Sequence, residues 1–228
     1  MVNDLTIIFL TVNKVPEEWA AYHRKVLLEA AGDYPIITVS ARPMPEMPGI
    51  NIIQDGTPCA SNIYRQMLRA AKVATTPFIA IAEDDSLYPR EHFIYFRPKM
   101  DEFAYNMTRW AVFTWDKPTY FWRNRISNLT LIAPRELLIK CLEERFAKYP
   151  DGTPEGRTGE VGKLRIERML RLPRYKMVQF YTTSPIVNLN HVYSIDQMEV
   201  RKVKRMSFIR AYSIPTWGEA SEIVKKFI

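Results

Sequence analysis

Glu83, Asp84 and Asp85 stand in a row behind an apolar run, in the stretch "IAIAEDDSLYP". Three neighbouring carboxylates repel one another unless something positive neutralises them, and their hard oxygens suit Mg2+ or Mn2+. A divalent ion shared with phosphate groups is the natural partner of such a cluster. Side chains alternate along an extended strand, so Glu83 and Asp85 are expected to face one way and Asp84 the other, one holding metal and another a sugar hydroxyl. The competing reading is a solvated acidic turn that caps a helix starting near Pro89. A second group with chemical reach is "WDKPTYFWRNR", where Trp115, Tyr120, Phe121 and Trp122 interleave with Lys117, Arg123 and Arg125. Such aromatics can stack on bases or sugars while the cations hold phosphates, or they can be core beside a solvated loop. Downstream, "RKVKRMSFIR" is a basic cluster suited to a diphosphate, a nucleic-acid backbone or an anionic membrane.

The elements that must carry these residues follow from the apolar pattern. "DLTIIFLTV", "PIITVSA", "INIIQ" and "TTPFIAIAEDD" are strand-length β-branched runs. Between them, "PEEWAAYHRKVLLEAAGDYP" reads as a helix that Pro16 opens, Glu17 and Glu18 favour and Gly32 closes. "ASNIYRQMLRAAKVA" reads as a second helix, with Ile63, Met67, Leu68 and Ala71 on one face. Buried strands alternating with helices predict a mostly parallel sheet covered on both faces, with ligands outside the carboxyl ends of its strands. Glu83, Asp84 and Asp85 fall at such an end. Later, "RWAVFTWD", "NLTLIAP" and "KMVQFYTT" read as strands, and "PRELLIKCLEERFAKY" and about Glu160 to Leu172 as helices, the last after a Gly-rich loop. His23 and His92 fall in predicted helices and are expected at the surface or partly buried.

A chain of 228 residues, 47% hydrophobic, can bury a substantial core and fits one domain spanning 1–228. Cys59 and Cys141 lack the spacing of a zinc or redox motif, which points to a reducing compartment. No apolar run nears the ~20 residues of a membrane span, so the expected location is cytoplasmic. The net charge of +7 favours polyanionic partners or merely solubility.

From Asp55 to Pro89, "DGTPCASNIYRQMLRAAKVATTPFIAIAEDDSLYP" resembles the GT-A glycosyltransferases, especially the inverting family 2. In that family a helix with small residues and Asn leads to an apolar strand ending in a D-x-D-like motif, with Pro shortly after. The resemblance covers residues 5 to about 100 well and the rest loosely. It implies an α/β, GT-A (Rossmann-like) fold with a mostly parallel central sheet and a smaller mixed acceptor-side region, residues 1–100 binding the nucleotide sugar and 101–228 the acceptor. It further implies Mn2+ or Mg2+ and a nucleotide-sugar donor, such as a UDP-sugar. Asp85 then matches the metal ligand, and Asp84 or Glu83 the contact to ribose or sugar. Thr11 resembles the residue near the base, while Ser40 and Arg42 end the strand where the family often has an acid that reads uracil; that acid is absent. Asn62 and Arg65 would reach the donor from the second helix. His191, after "SPIVNLN", resembles the late histidine that completes the metal sphere in many of these enzymes, although a lone histidine is more often structural. The general base matches Glu160, with Glu155 next and a helix-terminal role as the alternative for Glu160.

Some compact phage enzymes of this type glycosylate hydroxymethylated pyrimidines in DNA, which makes DNA a candidate acceptor beside polysaccharide, lipid-linked and protein acceptors. Nucleotidyl transfer shares the fold style but normally shows a Gly-rich loop after the first strand, and "FLTVNKVPEEW" has no glycine. A non-catalytic basic module that binds nucleic acid is the remaining alternative.

Overall fold

The computed structural model describes residues 3–154, 156–193 and 207–228; Glu155 and the basic run 201–205 lie outside them. The four early apolar runs form β1 (Leu5–Leu10), β2 (Ile36–Ser40), β3 (Ile50–Ile53) and β4 (Phe78–Glu83). The helices between them are α1 (Glu17–Ala31) and α2 (Ala60–Val73). Gly32 ends α1 at φ 56, a left-handed conformation that costs glycine little, and its amide reaches Leu28 O at 3.0 Å. Next come β5 (Ser86–Leu87), α3 (Arg90–Ile94), β6 (Glu102–Asn106), β7 (Arg109–Phe113), β8 (Tyr120–Trp122) and β9 (Leu131–Pro134). The remainder holds α4 (Arg135–Lys148), α5 (Leu164–Leu170), β10 (Lys176–Phe180), β11 (Ile186–Asn190), β12 (Arg210–Ala211) and α6 (Ala220–Lys225).

The architecture is α/β: a central seven-stranded sheet ordered β10-β6-β9-β4-β1-β2-β3, flanked by helices, beside a five-stranded sheet ordered β12-β8-β7-β11-β5. In the central sheet only β9 runs against its neighbours, and β1 pairs with β4 so that Leu10 lies beside Glu83. The smaller sheet is mixed, with β7 and β11 parallel and β5 and β8 antiparallel to them. Only Asp84 and Asp85 separate β4 from β5, so the chain changes sheets at the acidic pair. No described helix is long and apolar enough to cross a membrane.

One face of the central sheet packs Ile8, Ile79 and Ile81 against Tyr64 and Met67 of α2 and Leu138 of α4. The other packs Ile7, Phe9 and Ala82 against Leu27 of α1 and Phe93 of α3. A third cluster joins Trp19 of α1 to Val187 and Leu189 of β11 and Val224 of α6, which ties the smaller sheet to the same helix. Full burial of each Ile, Leu, Val, Met or Phe among them is worth about 1.5–3 kcal/mol before entropy is counted.

Several sequence expectations need correction. On α2 the buried stripe runs through Tyr64, Met67, Ala70 and Ala71, while Ile63 and Leu68 are only partly buried. The helix expected from Glu160 to Leu172 shortens to α5, because Gly162 sits at φ 74 before it and Arg171 at φ 51 after it. Tyr120 and Phe121 are buried in the core and cannot stack on a ligand. His23 and His92 are both buried, at 1% and 0% exposure. His23 follows Trp19 and precedes Leu27 at four-residue spacing, which places all three on the inward face of α1.

Candidate active site

The acidic turn is held by its backbone. Three successive carbonyls each accept one donor from another element: Trp19 Nε1 donates to Asp84 O at 2.7 Å, Leu189 N to Asp85 O at 2.7 Å, and His23 Nε2 to Ser86 O at 2.9 Å. Burial pushes the His23 ring down to about 4, so it is neutral, and an acceptor carbonyl fixes the proton on Nε2. On the strand side, Glu83 N–H donates to the Tyr88 hydroxyl at 2.9 Å.

That turn replaces the expected strand-like alternation. The side chains fan out, yet all three line one cleft of about 330 Å3. Asp84 Oδ2 accepts the Thr11 hydroxyl, and Asp85 Oδ1 accepts Ser86 Oγ at 2.8 Å. Asp85 Oδ2 lies 3.7 Å from His191 Nε2. Burial, then the charges of Asp85 and Asp84, pushes the Glu83 carboxyl up to about 8, with Arg109 pulling it the other way. Burial and then Asp85 push Asp84 up to about 7, against the stabilising Thr11 hydroxyl.

Thr11 and the three acids thus share the cleft with Asn62, Glu160 and His191. Asn62 is mostly committed elsewhere: its Nδ2 donates to Asp55 O at 2.9 Å and its Oδ1 accepts Gln66 Nε2 at 2.9 Å. Glu160 occupies a loop pinned on both sides, where Arg145 Nη1 donates to Gly159 O at 3.1 Å and the Tyr105 hydroxyl to Val161 O at 2.8 Å. A Cβ on Gly159 would meet the Ile166 side chain at 2.7 Å, so only glycine lets this loop lie so close to α5. Glu160 Oε2 accepts Lys163 Nζ at 2.8 Å.

Three residues assigned by resemblance are not brought to the cleft. Ser40 donates to Arg42 O at 2.7 Å and accepts Asn51 Nδ2 at 2.8 Å at the end of β2. Arg42 is exposed, 3.7 Å from Glu17, beside a separate small hollow. Arg65 donates to Pro150 O and lies over the Phe146 ring at 4.5 Å, bracing α2 against α4.

Sequence reasoning gave no site role to Arg109, Asn188 and Asn190, which also line the cleft. The alternation Val187-Asn188-Leu189-Asn190 carried the signal: the apolar residues enter the core beside α1 while the amides take the opposite face. Asn188 pairs with Ser86 across β11 and β5, next to Asp85, and its Oδ1 is buried without a hydrogen-bond partner among the described residues.

No protein-family model matches the chain, and no curated protein matches it in sequence. Among solved structures it is similar to the bifunctional IspDF of Campylobacter jejuni (13% identity, TM-score 0.48), covering 78% of this chain and 50% of that one, so the chain spans half the length of that protein. It is also similar to a nucleotidyl transferase of Methanothermobacter thermautotrophicus (12% identity, TM-score 0.47), covering 80% of this chain and 89% of that one. A third similarity is to a glycosyltransferase involved in glycosylating the major capsid of PBCV-1 (10% identity, TM-score 0.46), covering 80% of this chain and 92% of that one.

Proposed function

We propose that the chain, acting as one domain, is a metal-dependent glycosyltransferase that moves a sugar from a nucleotide-diphosphate sugar, with UDP as the nucleotide, to an acceptor hydroxyl. The observation that carries this reading is the clamped turn at the carboxyl end of β4, which presents Asp85 3.7 Å from His191 Nε2 in a cleft that also holds Glu160. The donor set suits a hard divalent ion: a carboxylate, an imidazole and the unpartnered amide oxygen of Asn188. Among the described residues no three His, Cys, Asp or Glu side chains cluster closely enough to hold an ion alone. Mg2+ or Mn2+ would be held by Asp85 and His191 and completed by donor phosphate oxygens. Bound there, the ion supplies positive charge to the leaving diphosphate.

The protein's own groups account for the rest. Thr11 and Asp84, joined by their hydrogen bond, form the donor side of the cleft at the ends of β1 and β4. With its carboxyl raised to about 7, Asp84 can donate or accept near neutrality when it meets a ribose or sugar hydroxyl. Glu160 exchanges Lys163 for the acceptor hydroxyl and takes its proton. The acceptor oxygen bonds to the anomeric carbon as the bond from that carbon to the diphosphate breaks, a single displacement that inverts the centre as in family 2. For the acceptor, the net charge of +7 favours a polyanion, such as DNA bearing hydroxymethylated pyrimidines.

The test is calorimetry of UDP and UDP-sugars with and without Mn2+, on the wild type and on Asp85→Ala. Metal-dependent binding in the wild type, weakened at least about 100-fold in the variant, is the expected result, since about 2.8 kcal/mol separates the two. A wild type that binds no nucleotide with any divalent metal would sink the reading.

A further inference from the structure

The cleft has a second charged side. Arg109 opens β7, and Arg123 follows β8 with its N–H donating to Arg109 O at 2.9 Å. The register that pairs Trp110 with Trp122 and Ala111 with Phe121 therefore sets Arg109 directly opposite Arg123. These two side chains are 3% and 6% exposed, so two guanidiniums stand buried side by side in the cleft wall. Arg125 joins them: its carbonyl accepts Arg109 Nη2 at 3.3 Å, and all three arginines line the cleft. Arg109 Nε is buried with no acceptor among the described residues. Strand parity puts Arg109 on the face that also carries Asn188 and Asn190, away from the core cluster around Val187 and Leu189.

The basic wall shares the cleft with the acidic turn and with Glu160. The charged groups that act on Arg109 are Arg125 and Arg123, then Glu83 and Glu160. The wall thus adjoins both Glu83 of the acidic turn and Glu160, the proton-accepting group. We propose that Arg109, Arg123 and Arg125 bind a phosphoryl group carried by the acceptor, and so hold its hydroxyl against Glu160. Planar guanidiniums match phosphoryl oxygens with paired, charge-assisted hydrogen bonds, and the buried Arg109 Nε has a donor to offer. The phosphoryl group can belong to a small phosphorylated acceptor or to a nucleic-acid backbone. This assignment rests on the glycosyltransferase reading for its word "acceptor"; the anion site itself stands on the arginines.

The experiment titrates inorganic phosphate by calorimetry into wild type, Arg109→Gln and Arg125→Gln, each first saturated with UDP and Mn2+, and repeats the titration without them. The expected result is phosphate binding in the wild type that weakens about tenfold or more in both variants, while their UDP affinity stays within about twofold. Arg125 is exposed, so its variant keeps the test valid if the buried Arg109→Gln does not fold. Loss of UDP affinity in parallel would give the arginines to the donor diphosphate and overturn the proposal, as would phosphate binding that is absent or indifferent to both substitutions. If UDP fails to bind at all, the glycosyltransferase reading falls, and the nucleotide-free titrations still decide the anion site. A short single-stranded oligonucleotide that displaces phosphate through all three arginines assigns the group to nucleic acid; phosphate that stays bound assigns it to a small acceptor.

Discussion

The acidic turn and the basic wall face the same cleft, yet they carry their charge by opposite means. At the turn, three consecutive carbonyls are fixed by donors from α1 and β11, and burial together with the neighbouring carboxylates pushes Glu83 and Asp84 up toward their neutral forms. The wall has no such release. A guanidinium does not lose its proton near neutrality; burial and its two basic neighbours hold Arg109 down only to about 9. Carboxylates without their counter-ion can therefore wait in neutral form, whereas buried arginines keep their charge at neutral pH. The difference teaches that the two sides ask for different ligands, a cation with its phosphates on one and an anion on the other.

The largest effect that could break this division belongs to Glu160, which lies on the wall's side. Glu160→Gln should lower transfer about 1,000-fold, roughly 4 kcal/mol of barrier, while leaving metal-dependent UDP affinity unchanged. Initial rates beside calorimetry separate the two. If UDP affinity drops together with rate, Glu160 serves the donor and the two sides are one site.

A smaller effect sharpens the account of the turn. His23→Phe keeps a ring stacked on Phe9 (centroids now 5.3 Å apart) and deletes the donor to Ser86 O. Leaving that buried carbonyl unsatisfied should cost about 1–3 kcal/mol in urea unfolding. Because the same carbonyl row orients Asp84 and Asp85, metal-dependent UDP binding should weaken about tenfold, with phosphate binding at the arginines unaffected. Phosphate affinity that falls equally would show that the turn and the wall move as one unit.

The two sides also differ in how far the sequence revealed them. The acidic turn was legible because a continuous β-branched run fixed β4, and parallel sheets gather ligands at strand ends. Which way each acid points was not, since that depends on the chain leaving one sheet for another between Asp84 and Asp85. The support from His23 could have been found from its four-residue spacing with Trp19 and Leu27. Arg123 and Arg125 were visible as basic residues among aromatics, but their meeting with Arg109, fourteen residues upstream of Arg123, depends on the β7–β8 register, which only the folded pairing shows. Ser40, Arg42 and Arg65 mark the opposite failure: strand-end and helix positions transferred from a resemblance say nothing of where a particular side chain turns.

The smallest expected effect isolates the turn from the wall by pH. Glu83 has an ordinary value of 4.5 and is raised to about 8 in the fold, so the folded state binds its proton more tightly than the unfolded chain. Stability from this group is therefore complete below about pH 4.5 and drains away as pH rises to about 8. Glu83→Gln cannot ionise, so its stability relative to wild type should be unchanged at pH 4.5, grow through neutrality and level off above pH 8. Each tenfold difference in proton affinity is worth about 1.4 kcal/mol, so the variant's gain over wild type follows the upward shift, in which the opposing pull of Arg109 is already contained. Arg109, held down to about 9, is still mostly protonated at pH 8.5, so the slope through neutrality reports the acids. Urea unfolding of metal-free protein at pH 4.5, 6.5 and 8.5 reads it directly; a constant difference at all three would mean that Glu83 is already ionised in the fold, with the arginine wall as its standing counter-charge.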